Sequence, residues 1–152
     1  MNILENLKSL AKNNSVDHPY VGVDNIIVNS EGKILLIKRS DKSKNYPGYW
    51  GLVGGWIEWG ETVEDALKRE AREEIGCVIK VERFTGKYYD TKGRHPTKTS
   101  ICLPHISKII DGTPIVNQPE EISEVKWFSP NEIKSIELAY DHKKMLEDEG
   151  LL

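Results

Sequence analysis

Three glutamates, Glu70, Glu73 and Glu74, stand three and four residues apart in the stretch from Gly55 to Cys77, GWIEWGETVEDALKREAREEIGC. Side chains at that spacing share one flank of a helix, so three carboxylates project together and need a counter-ion. The competing reading is an ordinary exposed helix on which they pair with Lys68, Arg69 and Arg72. The loop ahead favours a site. Gly54, Gly55 and Gly60 let backbone carbonyls approach a ligand closely, and Glu61 adds a further carboxylate at the loop's end. Clustered carboxylates with the Gly55 carbonyl form a hard, all-oxygen donor set, which suits Mg²⁺ or Mn²⁺ and does not suit zinc.

These residues need a helix to carry them. Thr62 with Asp65 three residues on forms a capping box, and Val63, Ala66 and Leu67 recur at helical spacing, which predicts a helix from Val63 to Ile75 with Glu70 and Glu74 on its apolar stripe. Around it the pattern turns to strands. Val21–Val28 and Lys33–Arg39 are apolar segments separated by Asn29-Ser30-Glu31-Gly32, the turn chemistry of a hairpin. Strands are also expected over Cys77–Tyr89, Thr99–Ile110 and Val125–Phe128, and Ser129-Pro130 starts a short helix. A last helix begins near Asp141, with Asp141 as its cap and the neighbouring His142 structural. Ile3, Leu4, Leu7, Leu10 and Ala11 repeat at helical spacing, so residues 1–14 read as an amphipathic helix ahead of a main domain over 15–152. That helix packs on the domain or on a second copy of the chain, which leaves a homodimer as an option. The order of elements implies an α/β domain with a mixed sheet between helices.

Composition narrows the partners. A chain of 152 residues with 38% hydrophobic content builds one ordinary domain. Its net charge of −3 offers no basic surplus for nucleic acid or anionic lipid, so a small molecule is the favoured partner. Two cysteines without metal-ligand spacing, no signal-peptide core and no membrane-spanning run point to the cytoplasm. Between Lys80 and Lys98 six cations face two carboxylates, so metal-holding carboxylates on one wall and cations on the other could hold a diphosphate, with Arg94 the best phosphate contact because its donors are forked. Aromatics crowd the glycine loop, where one of them could stack on a base and most cover the core.

The sequence resembles the Nudix (MutT-type) hydrolase family. Gly55, five residues, Glu61, seven residues, then Arg69-Glu70-Ala71-x-Glu73-Glu74-x-Gly76-Cys77 matches the Nudix box, G-x5-E-x7-R-E-U-x-E-E-x-G-U, at every glycine, glutamate and arginine. Ala71 and Cys77 are smaller than the usual aliphatics, and Val53 stands where many members have proline. The resemblance covers about Val21 to Met145 and implies an α/β/α sandwich with a mixed sheet. It implies a Mg²⁺-dependent hydrolase, with Glu70, Glu73, Glu74 and the Gly55 carbonyl on the metal, Arg69 orienting a carboxylate and Glu61 supporting it. Glu120-Glu121 ahead of Trp127-Phe128 is similar to the family's downstream acidic loop and suggests Glu121 as general base. Tyr88-Tyr89-Asp90 with Arg94, and Leu138 to His142, look like the branch that includes ADP-ribose pyrophosphatases. The implied substrate is a nucleoside diphosphate linked to another group, ADP-ribose best, with Arg94, Trp50, Trp59, Tyr88 and Tyr89 as candidate contacts. The alternatives are a nucleoside triphosphate pyrophosphohydrolase that sanitises nucleotides, and a regulatory module that senses a nucleotide sugar without catalysis.

Overall fold

The computed structural model describes residues 2–5 and 18–152. Residues 3–5 form a helical turn with Ile3 and Leu4 exposed, and the remainder of the helix expected over 1–14 lies outside the described residues. From Tyr20 the elements run β1 (Tyr20–Ile27), β2 (Ile34–Arg39), β3 (Trp50–Gly51), β4 (Val53–Trp56), α1 (Val63–Ile75), β5 (Val78–Phe84), β6 (Ser100–Asp111), β7 (Ile122–Phe128), α2 (Pro130–Lys134) and α3 (His142–Asp148).

The strands form two sheets. A mixed sheet has the order β4-β1-β6-β5, with β1 parallel to β6 and antiparallel to β4, and an antiparallel sheet has the order β3-β2-β7. Alternation along β1 and β2 feeds two separate cores. Val23, Ile27, Leu35 and Ile37 pack with Ala66, Leu67, Ala71 and Ile75 of α1. Ile26, Ile34 and Leu36 point the other way, onto Ile133 of α2 and Met145 and Leu146 of α3. Strands covered on both faces read as continuous apolar runs, and helices then lie on either side, as in the expected α/β/α sandwich.

One expectation changes. Asn29 does organise the turn, accepting from the Glu31 and Lys33 amides, yet β1 and β2 meet only at the bridge Val28↔Ile34 and part into different sheets. Each has better partners on both edges, β4 and β6 for β1, β3 and β7 for β2. The predicted box helix is present with both halves of its capping box, and it ends at Gly76, whose φ of 68° suits a residue without Cβ. Tyr89, expected in a strand, makes only an isolated bridge to Cys102.

Candidate active site

Where β4 passes under α1, the chain comes too close for any side chain but glycine. A Cβ on Gly55 would lie 2.2 Å from Glu70 Oε1, and one on Gly54 would lie 2.1 Å from the Val23 carbonyl oxygen. The loop between β4 and α1 then returns Glu61 to the helix, where Arg69 spends its donors. Its Nε and Nη2 grip Glu61 at 2.5 and 3.0 Å, Nη2 also reaches the Trp56 carbonyl at 2.9 Å, and Nη1 reaches Glu70 at 2.8 Å and Glu73 at 3.1 Å. That fork holds Glu61 below the usual carboxylate range and fixes Glu70 in place.

Glu74 lies one turn further along α1 and is 5% exposed. Its Oε2 accepts the Gly54 amide at 3.1 Å. Burial, with the charges of Glu70 and Glu121 nearby, pushes its carboxyl well above the ordinary value. Burial also raises the Glu70 carboxyl, against the pull of Arg69. Glu121, in the turn before β7, faces both of them; its backbone is anchored by Ser40, whose amide donates to the Glu121 carbonyl at 2.8 Å.

The carboxylates open into a pocket of about 590 Å³. Among the described residues no three His, Cys, Asp or Glu side chains stand close enough to cage an ion in this arrangement. The donor set nonetheless fits a hard divalent cation: Glu70, Glu73, Glu74 and the Gly55 backbone supply only oxygens, and crowded, buried carboxylates gain from a positive charge between them.

The rest of the pocket comes from distant parts of the chain. Arg39, at the end of β2, donates from Nε to the Asn45 carbonyl at 2.8 Å and lies 5.6 Å from the centre of the Tyr140 ring; among the described residues no carboxylate is within 4 Å of it. Trp56, His95 and Tyr140 form an aromatic wall, with His95 5.6 Å from Trp56 and stacked 6.3 Å from Tyr140. Asp24, Arg94, Cys102 and His142 line its inner end.

The structure brings Gly55, Arg69, Glu70, Glu73, Glu74, Glu121 and Arg94 to one pocket and leaves four expected contacts outside it. Trp50 packs edge-on against Phe128, 4.8 Å between ring centres, because β3 turns its ring to the α2 side. Tyr89 is buried, which raises its pKa, and its hydroxyl donates to Asp148 at 2.7 Å, which raises it further. Trp59 and Tyr88 are 73% and 62% exposed and do not line the pocket. Asp141 precedes α3 but makes no capping hydrogen bond, since Arg94 Nε takes its Oδ1 at 2.7 Å. Missed residues include Asp24, Arg39, His95, Cys102 and Tyr140. Asp24 had a sequence signal, as a carboxylate inside an apolar strand, and Tyr140 lay within the Leu138 to His142 run without being named as a contact.

Comparison with known proteins decides the family, since the NUDIX domain profile matches residues 18–148. The chain belongs to the Nudix family. Over 131 residues, 86% of the chain, it is 38% identical to 73% of the ADP-ribose pyrophosphatase of Methanocaldococcus jannaschii. Over 132 residues, 83% of the chain, it is 30% identical to 94% of the nucleoside triphosphatase NudI of Escherichia fergusonii. Among solved structures, the MutT NUDIX hydrolase of Burkholderia pseudomallei superposes with a TM-score of 0.74 at 32% identity, covering 87% of this chain and 98% of that one. The NUDIX domain of Shewanella oneidensis NrtR, solved with ADP ribose, shares the fold at a TM-score of 0.71 and 21% identity, covering 97% and 96%. This chain is thus a Nudix hydrolase, with the box on β4 and α1. None of its described helices is long and apolar enough to cross a membrane.

Proposed function

We propose that this Nudix hydrolase is a Mg²⁺-dependent pyrophosphohydrolase acting on a nucleoside diphosphate linked to another group, with ADP-ribose, giving AMP and ribose 5-phosphate, as the leading substrate. One observation carries the reading: a single pocket gathers buried carboxylates, the Arg39 guanidinium, which pairs with no carboxylate among the described residues, and aromatic and hydrogen-bonding side chains. Carboxylates that could hold a metal ion, a cation in the same pocket, and aromatic and hydrogen-bonding groups beside them match a diphosphate with organic groups attached. The relative from Methanocaldococcus jannaschii adds support.

In this proposal Glu70, Glu73, Glu74 and the Gly55 carbonyl hold the ion. When bound, it supplies charge neutralisation for the diphosphate and a more acidic water. Arg69 keeps Glu61 and Glu70 aligned. Arg39 offers charge-assisted donors to a phosphate oxygen. Glu121, beside Glu70 and Glu74, takes the proton from the attacking water. Water divides across the P–O–P bridge, hydroxyl to the attacked phosphorus and proton to the phosphate that leaves.

A triphosphate substrate is the second reading, favoured by the NudI relative, which is matched over 94% of its length. A side-by-side kcat/KM comparison of ADP-ribose, other nucleotide sugars, and ordinary and oxidised nucleoside triphosphates tests both. ADP-ribose is expected to lead; a triphosphate that leads and releases pyrophosphate overturns the first reading. The same proposal places the enzyme in a reducing, cytoplasmic setting, in keeping with two buried free thiols, Cys77 and Cys102.

A further inference from the structure

The inner end of the pocket holds charges that the protein itself does not fully satisfy. Asp24, on β1, is 6% exposed. The only hydrogen bond its carboxylate accepts among the described residues comes from the Cys102 thiol, Sγ to Oδ2 at 2.6 Å, and a thiol is a weak donor. Arg94 Nη2 stands 3.8 Å from the same oxygen, and His142 Nε2 stands 3.4 Å from Oδ1. His142 Nδ1 accepts the Leu52 amide at 3.1 Å, which leaves Nε2 to face Asp24. Arg94 is as deeply buried, with 6% of its side chain exposed, and donates only Nε, to Asp141. Its two terminal nitrogens make no hydrogen bond among the described residues, and Asp141 Oδ2 is buried without a partner.

Two features define what fits here. One guanidinium between two carboxylates leaves no surplus positive charge for an anion. Burial alone would raise the Asp24 carboxyl, yet His142, Arg94 and Cys102 together hold it below its ordinary value, which keeps it charged. Unused donors on Arg94 also stand next to an underused acceptor on Asp24, and both residues line the pocket, where a ligand can pair with them. A phosphate would face the Asp24 carboxylate with no surplus positive charge to offset it, and it has no proton to give Asp24. An uncharged group with a donor beside an acceptor satisfies both.

We propose that Asp24 is a specificity-determining residue: with Arg94 it forms an inner subsite for an uncharged group that both donates and accepts, a pair of sugar hydroxyls or a base edge, and it turns phosphate away. The proposal rests on the diphosphate reading above and deepens it. Selectivity then comes from an unfavourable pairing as much as from a favourable one.

The test is Asp24→Asn, which keeps the shape and removes the charge, assayed with ADP-ribose and ATP. This substitution is expected to lower kcat/KM for ADP-ribose about tenfold and to raise it for ATP, so that the ratio moves by roughly two decades. Arg94→Gln, which leaves both carboxylates uncompensated, is expected to lower kcat/KM for ATP further than for ADP-ribose. It serves as the test if the first variant fails to melt cooperatively. Two analogues separate the sources of the bound group. A 2-deoxy terminal sugar removes the penalty of Asp24→Asn if hydroxyls sit there, and unsubstituted purine in place of adenine, which lacks the amino donor, removes it if the base edge does. Wild-type protein that leaves ADP-ribose intact overturns the diphosphate reading itself. Wild-type turnover of ADP-ribose, with a selectivity ratio that stays within about twofold in the folded variants, overturns the subsite alone.

Discussion

The pocket contains two arginines set among carboxylates, and they are built in opposite ways. Arg69 sits on the helix it serves, reaches Glu61, Glu70 and Glu73 from within one short stretch, and uses its fork fully. Arg94 arrives on a loop between β5 and β6, meets Asp24 from β1 and Asp141 at the start of α3, and leaves its terminal nitrogens unpaired among the described residues. A saturated arginine fixes geometry, whereas an unsaturated one between buried acids waits for a ligand. Framework and recognition thus fall to different residues of one cavity.

The largest effect expected from breaking this division is at the framework end. Glu74→Gln, which keeps the acceptor for the Gly54 amide and loses the charge, should lower kcat with Mg²⁺ by about 100-fold or more. Full activity in that variant, or in excess chelator, would remove the metal assignment. Arg69→Lys cannot reproduce the bidentate grip on Glu61, so a loss in kcat on the order of 10- to 100-fold is expected. An unchanged rate would mean that the fork is dispensable.

Midway along the pocket, Arg39→Ala should raise KM for ADP-ribose about tenfold, the scale of one charge-assisted contact. Steady-state kinetics check this, with Trp59→Ala as the comparison expected to change KM less than about twofold, because that ring points to solvent. A larger response at Trp59 than at Arg39 would reverse the placement of the substrate.

The smallest effect concerns stability without metal. Glu70 and Glu74 hold their protons more tightly folded than unfolded, where the value is 4.5, so their contribution is fully present below pH 4.5 and is lost as pH rises through their folded values. Glu74→Gln removes most of that loss. In chelator at pH 8 the variant should therefore melt a few degrees above wild type, the order of shift that about 1–2 kcal/mol gives a domain of this size, and the gap should close toward pH 4.5. Thermal melts at the two pH values decide it. Wild type that melts as high as the variant at pH 8 would show that the buried carboxylates carry no strain.

The framework end was legible in sequence because it is local. Thr62 and Asp65 cap the helix, Gly76 ends it, and the three glutamates fall on one flank by helical geometry alone. The recognition end was not, because it is assembled from residues as far apart as Asp24, Arg94 and His142. Aromatic type carries no direction: Trp50 and Tyr89 suited stacking by composition, yet Phe128 and Asp148 claim them. The turn at Asn29 was read correctly and the hairpin was not, since turn chemistry is local while pairing depends on strands far along the chain.

That early parting of β1 from β2 also governs how the chain acquires its structure. In the mixed sheet β1 closes against β6 in parallel, with Tyr20 opposite Ser100 and Ile27 opposite Ser107. Loop closure on that scale carries a high entropic cost before any contact repays it, so the domain belongs with the slow, high-contact-order folders. During synthesis β1 has only β4 to pair with until β6 has emerged, and β2 lacks one neighbour until β7 follows. Two apolar strands thus wait with open edges while most of the chain is made, and this interval, more than any weakness of the finished fold, is where aggregation would compete.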